Sequence, residues 1–198
     1  MINENHNLLF QYCSILLNYP DQEYQEILEE AAEASSGQPE SEANQELQQF
    51  LAKARSLSPT ELVATYVNTF DFGKKTNLYV SYMTNGEQRE RGMDLLFLKN
   101  YYQMHGFQVT DKELPDYLPV MLEFAGQVDQ ETFRPILERY YDHMKEIADH
   151  LDPSHNLYGH LFQAILLALK GAGITKPVRR SEEICSNSFY GSFSPTSS

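Results

Sequence analysis

Six histidines, two cysteines and twenty-eight carboxylates are the side chains in this 198-residue sequence that could bind a metal or carry catalysis. A helical zinc site needs two histidines four residues apart and a third ligand from elsewhere. Here His155 and His160 are five apart, His143 and His150 are seven apart, and His6 and His105 stand alone. A di-iron bundle needs Glu-x-x-His motifs on facing helices. The nearest approach, Asp142-His143 with Glu146, has the wrong spacing. No nucleophile elbow, phosphate loop or dinucleotide fingerprint occurs. Gly171-Ala172-Gly173 follows an apolar helical pattern, so it reads as a helix stop rather than a phosphate cradle. Cys13 falls on an apolar face with Leu9, Leu16 and Leu17, and Cys185 lies in a polar stretch, so no disulfide framework is expected. The expectation is a protein that is not an enzyme and holds no cofactor or metal.

The remaining chemistry is recognition. Residues 66–92 and 114–125 are dense in tyrosine, phenylalanine, arginine and single glycines. Aromatic and arginine anchors dominate binding hot spots, so this composition suits a surface that grips another polypeptide. The residues expected to form it are Tyr66, Phe70, Asp71, Tyr79, Tyr82, Arg89, Arg91, Asp116, Tyr117 and Pro119. Tyr66, Tyr101 and Tyr102 also suit a core, whereas Tyr79 and Tyr82 lie in an aperiodic segment and are better placed to line a cleft. Arg89 and Arg91 open a helix, where the dipole disfavours cations. They therefore call for a carboxylate from Asp71, Glu87, Asp94 or Asp116, in an internal ion pair that would pin the 72–87 loop or as the polar rim of a groove. Asp116 is expected to cap the helix that follows it.

The elements that must position these residues are helical. Leu8, Leu9, Tyr12, Cys13, Ile15 and Leu16 mark a first amphipathic helix ended by Pro20. Asp21 is expected to cap a second helix running to about Ala34, broken by Ser35-Ser36-Gly37-Gln38-Pro39. A third helix spans Ala43–Ala54. Ser58-Pro59-Thr60-Glu61 is a capping box with proline at the first helical position, and the helix it opens carries Val63, Tyr66, Val67 and Phe70 on one stripe. A long, strongly apolar helix follows over roughly Gln88–His105, with Met93, Leu96, Phe97, Tyr101 and Met104 on one face and Gly106 as its stop. Helices over 117–125, 130–150 and 155–170 complete the set. Residues 78–83 alternate like a short strand but have no hairpin partner. The fold class is all-α, a single-domain helical bundle of about seven or eight helices over residues 1–174. Residues 175–198, rich in Ser, Asn, Gly and Pro, are expected to form a disordered tail.

The formal net charge is −13, and residues 1–62 hold eleven acidic and two basic side chains. Such a balance lacks the basic footprint that phosphate binding requires and disfavours nucleic acid. It would instead speed the approach of a basic segment. The longest apolar run, Ala164 to Leu169, is far shorter than a membrane span. The N-terminus lacks the basic start and cleavage site of a secretory signal. No membrane insertion and a cytoplasmic location are therefore expected.

The same two stretches resemble the NarJ family, the cytoplasmic chaperones that assemble the molybdenum-cofactor subunit of respiratory nitrate reductase. Tyr66, Val67, Thr69, Phe70 and Asp71 match its Y-V-x-T-F-D helix end. Leu78, Tyr79 and Tyr82, then Gly86 and Arg91-Gly92, match the continuation L-Y-x-x-Y…G…R-G. Leu114-Pro115-Asp116 and Leu118-Pro119 match L-P-D-H-L-P, with Tyr117 in place of the family's His. The replacement keeps aromatic packing and one hydrogen-bonding tip but removes the imidazole. The likeness spans roughly residues 5–172. It implies a TorD-like helical fold that binds the N-terminal segment of the nitrate reductase alpha subunit until the molybdenum cofactor is inserted. The segment would dock as an amphipathic helix in an apolar groove, with cofactor-delivery proteins as further partners. Related chaperones serve trimethylamine-N-oxide or dimethylsulfoxide reductases, but Y-V-x-T-F-D favours the nitrate reductase branch. A small all-α metal-handling enzyme is the alternative of a different class, and the histidine spacing argues against it.

Overall fold

Apolar residues three and four apart wind most of the chain into helices, and a computed structural model gives their packing. The structure describes residues 4–73, 75–81, 88–110 and 112–175, without the side chains of residues 4, 5, 88 and 89. The elements are α1 (Glu4–Leu16), α2 (Tyr24–Ser36), α3 (Glu42–Arg55), α4 (Pro59–Tyr66) with a π-helical turn (Val67–Asp71), α5 (Gln88–Met104), α6 (Leu118–Ala125), α7 (Gln130–Arg139), α8 (Tyr141–His150) and α9 (Tyr158–Gly171). These are nine α-helices among the described residues, one more than the upper expectation. The expected 130–150 helix is two, because the backbone at Tyr140 leaves helical geometry. The expected tail lies outside the described residues from residue 176 onward.

Helix α9 is the central post. Tyr158, Leu161, Phe162, Ala164, Ile165, Ala168 and Leu169 are all buried, and α9 packs on α3, α1 and α8. Helix α1 turns its other side to α6, and α2 covers α3. A helix apolar over most of its circumference must be largely enclosed, which explains the apolar run in α9, whose narrow polar side carries His160, Gln163 and Lys170. Among the described residues no helix is long and apolar enough to cross a membrane.

Local punctuation is mostly where the sequence puts it. The Ser58 hydroxyl accepts from the Glu61 amide, while the Glu61 carboxylate accepts from the Ser58 amide at 2.8 Å. The stop after α9 uses Gly173 at φ +74, a left-handed conformation that glycine adopts without strain. Asp21 is not the cap of α2. Its carboxylate accepts from the Glu23 amide at 3.0 Å, closing a turn ahead of the helix, and α2 then runs through Ser35 and Ser36. Both serines turn their hydroxyls back to the Ala32 carbonyl, so the helix takes in the first two residues of the expected break and ends at Gly37.

Helix α5 departs most from expectation. Leu98, Tyr102 and Asp94 face inward, Phe97 and Tyr101 are half-buried, and Met93, Leu96 and Met104 point to solvent. Apolar residues ring this helix, so periodicity alone could not choose its inner face. Asp94 is accepted inside because the Arg139 guanidinium ion-pairs with it while stacking 4.8 Å from the Phe97 ring centroid.

Candidate functional site

The first motif block ends α4 in a π-turn. The Phe72 amide reaches back to the Val67 carbonyl at 3.1 Å, the wide closure that defines such a turn. Turns of this kind recur at functional sites. Tyr66 and Phe70 point inward onto Tyr158, with ring centroids 6.0 and 4.8 Å away. The Thr69 hydroxyl donates to the Thr65 carbonyl at 2.7 Å and accepts from the Asn156 amide at 2.8 Å. The Thr69 carbonyl takes the Thr76 hydroxyl. Gly73 makes this closure possible, since a Cβ there would overlap the Thr76 hydroxyl and the Thr69 carbonyl oxygen. The turn leaves Asp71 exposed and Phe72 75% exposed.

The chain then runs alongside the second motif block. The Val80 amide donates to the Asp116 carbonyl at 2.9 Å, and the Leu118 amide donates to the Leu78 carbonyl at 2.8 Å. Tyr79 and Tyr117 thereby form an isolated antiparallel bridge, their ring centroids 5.0 Å apart. This supplies the partner that the 78–83 alternation lacked locally. The Tyr117 hydroxyl lies 3.2 Å from that of Tyr66, and the Tyr79 hydroxyl donates to Glu113 at 3.2 Å. The far side is fixed by His143, whose Nε2 is 2.9 Å from the Asn77 carbonyl. Burial lowers the His143 pKa, so the ring is neutral and donates this bond. Burial, helped at Tyr79 by Glu113, raises the pKa of Tyr66 and of Tyr79 to about 12. Both phenols therefore stay protonated near neutrality.

Asp116 does not cap α6. The capping position belongs to Tyr117, without a side-chain bond. The Asp116 carboxylate is instead wholly buried, accepting from the Ser81 hydroxyl at 2.6 Å with the Arg91 guanidinium 3.6 Å away. Arg91 pairs with Asp116, one of the carboxylates offered to it, and this ion pair ties α5 to the turn before α6. The remaining contacts lock that turn: Tyr102 donates to the Pro115 carbonyl at 3.0 Å, and Ser14 to the Pro119 carbonyl at 2.8 Å.

The two motif blocks thus meet, as expected, but chiefly as a framework. Tyr66, Phe70, Asp116, Tyr117 and Pro119 are buried, Tyr79 and Arg91 are half-buried, and Asp71 is exposed. Tyr82 and the Arg89 side chain lie outside the described residues. Beside the framework is an exposed apolar surface drawn from α5 and the turn before α6. Met93 is 66%, Leu96 59% and Leu114 43% exposed. Leu96 and Leu114 share a groove of about 360 Å³ with Lys99, Val109, Glu113 and Pro115. On the other side of the 107–115 connection, Phe107, Phe124, Tyr117 and Glu113 line a second hollow of about 350 Å³. Contiguous exposed apolar groups rimmed by polar ones mark interaction surfaces, and methionine adapts to varied partners. The i, i+3 spacing of Met93 and Leu96 was the signal available in the sequence. Nothing local marked Ser81 or His143. Among the described residues, no cluster of three or more His, Cys, Asp or Glu side chains is arranged to hold a metal ion.

The family described as "Nitrate reductase delta subunit" matches residues 33–162. The "Probable nitrate reductase molybdenum cofactor assembly chaperone NarJ" of Bacillus subtilis (strain 168) is 41% identical over 178 residues, covering 90% of this chain and 97% of that protein. The "Nitrate reductase molybdenum cofactor assembly chaperone NarJ" of Escherichia coli (strain K12) is 32% identical over 156 residues, covering 77% and 66%. The "Nitrate reductase-like protein NarX" of Mycobacterium tuberculosis (strain ATCC 25618 / H37Rv) is 30% identical over 159 residues, covering 80% of this chain but 24% of that longer protein.

Proposed function

The chain belongs to the nitrate reductase delta subunit family, and we propose that it is an assembly chaperone for a molybdenum-cofactor nitrate reductase. It binds the N-terminal segment of the alpha subunit in the cytoplasm and keeps that subunit open for cofactor insertion. It makes and breaks no bond itself. The observation that carries this reading is the unpartnered apolar strip Met93–Leu96–Leu114, set against the rigid framework that joins the two motif blocks. An amphipathic helix laid in such a groove buries its apolar face without unpairing backbone groups. Tyr79 donates to Glu113 on the groove wall, and the Arg91–Asp116 pair ties α5 to the turn that carries Leu114 and Pro115. A preformed floor reduces the ordering cost of binding. A client that must later be released calls for micromolar to nanomolar affinity, about −8 to −12 kcal/mol.

Affinity capture with this chain from nitrate-respiring cells, with the partner identified by mass, tests the reading. The alpha subunit of nitrate reductase is the expected partner. Recovery of a different molybdoenzyme in its place would contradict the assignment.

A further inference from the structure

The hollow beside Phe107 and Phe124 shares a wall with the Leu96–Leu114 groove. Val109, Thr110 and Glu113 line both, so a single ridge of chain stands between them. The ridge is anchored at each end. At its start Gly106 takes φ +85, and the Phe107 amide reaches back to the Tyr102 carbonyl at 2.9 Å, closing α5. That turn sets the Phe107 ring edge-on to Phe124, with centroids 5.1 Å apart. At its end the Tyr117 amide donates to the Leu114 carbonyl at 3.0 Å, and the Tyr102 hydroxyl to the Pro115 carbonyl at 3.0 Å. Two hollows, of about 360 and 350 Å³, thus lie back to back across one fixed ridge.

The floor of the second hollow is apolar. Phe107 and Val120 are half-buried there, and Tyr117 and Phe124 are buried beneath them. The hydroxyls of Ser14 and Tyr102 are engaged by the Pro119 and Pro115 carbonyls, and that of Tyr117 by Tyr66. What the floor offers an occupant is therefore ring and methyl surface. The rim is polar and of both signs: Glu113 and Glu123 stand with Lys112, Asn18 and Gln127, all exposed. Such a rim has little preference for the sign of a partner's charge. Burial of an apolar side chain is what this hollow rewards, and three rings in its lining favour an aromatic one set edge-to-face.

Continuity names the occupant. A peptide seated in the Leu96–Leu114 groove already touches the ridge. Three further residues, extended, reach about 10 Å, enough to pass over a single run of backbone. We propose that the client segment is gripped at two points. Its helix lies in the Leu96–Leu114 groove, and the residues flanking that helix cross the ridge at Val109 and Thr110. They place an aromatic or branched aliphatic side chain over Phe107, Val120 and Phe124. This rests on the α5 strip being the client site. Two modest contacts joined in one chain bind more tightly than either alone, because the second forms at high effective concentration.

The test is titration calorimetry with the synthetic N-terminal segment of the nitrate reductase alpha subunit, in full and shortened by about six residues from either end. Val120→Glu puts a carboxylate over the floor from the first turn of α6, where the helix dipole favours it. Asn18→Trp fills the hollow from an exposed position on another wall. Melting curves of both variants should stay cooperative. Each should weaken the full segment by about tenfold. Shortening from one end should cost about the same, and that shortened version should be indifferent to both variants. Leu96→Glu should weaken every version. If the full segment binds, responds to Leu96→Glu and ignores both hollow variants, the second subsite is overturned while the α5 strip stands. Equal weakening of every version by the hollow variants would mean that they act through the fold, and would overturn the proposal as well. A full segment that ignores Leu96→Glu would instead overturn the α5 reading and this inference with it.

Discussion

Asp116 sets the terms at the scale of single residues. Read locally, an aspartate directly before a helix expected over 117–125 is a cap, a contribution of about 0.5–2 kcal/mol. Its actual partners, Ser81 and Arg91, come from 35 and 25 positions away in the chain, a separation that no local rule reaches. Removing one member of a buried ion pair costs more than losing a cap, moderated here because the Arg91 side chain is 29% exposed. Asp116→Ala should therefore cost about 2–3 kcal/mol in urea unfolding, with Asp116→Asn, which keeps an acceptor for Ser81, in between. A cost below about 0.5 kcal/mol would remove the latch from the account. His143 supplies a pH dependence. Burial depresses its folded pKa, against weaker opposing effects of the Asn77 carbonyl, Glu146 and Asp116. The unfolded chain thus takes up a proton first, and the stability this neutral ring contributes is present above about pH 6.5 and lost as pH falls below it. Thermal melts between pH 7.5 and 5.5 should show this decline, and His143→Gln should flatten part of it. An unchanged slope in the variant would mean that other groups carry the dependence.

Among the elements, the π-turn and α5 show where sequence legibility ends. The capping box at Ser58–Glu61 and the stop at Gly173 involve neighbours in the chain, so both could be read directly. The widened turn at Val67–Asp71 could not, because it is imposed by distant packing: Asn156 on Thr69 and Tyr158 against Tyr66 and Phe70. Its visible trace was Gly73. Gly73→Ala should cost about 1–3 kcal/mol by overpacking, read as a lower unfolding midpoint with the helical circular dichroism retained. A neutral result would mean that the turn closes in some other way. In α5 the choice of inner face was illegible for a simpler reason: Met93, Leu96 and Met104 are as apolar as Leu98 and Tyr102. The inner face is decided by Arg139 neutralising Asp94 and by Tyr102 reaching the Pro115 carbonyl. Of the residues expected to form the recognition surface, Tyr66, Phe70, Asp116, Tyr117 and Pro119 are buried, whereas Met93, Leu96 and Met104 of α5 are exposed.

For the whole molecule, an all-helical single domain was legible from periodicity, and the nitrate reductase delta subunit family from the motifs of two blocks. What remained hidden was their juxtaposition through Tyr79 and Tyr117, since an antiparallel bridge across 38 residues leaves no hairpin signature. The net charge of −13 acts at this scale too, setting the rate and salt dependence of partner encounter more than the final affinity. The central claim is that the alpha-subunit N-terminal segment binds over the α5 strip beside the Asp116 latch. Titration calorimetry of that synthetic segment into the wild-type chain and into Leu96→Glu tests it most directly, because Leu96 is 59% exposed and its replacement should leave the melting curve unchanged. The wild type should bind with micromolar or tighter affinity and the variant at least about thirtyfold more weakly, the loss of roughly 2 kcal/mol expected for a hot-spot anchor. Equal affinities in the two proteins would contradict the claim and move the client to another face.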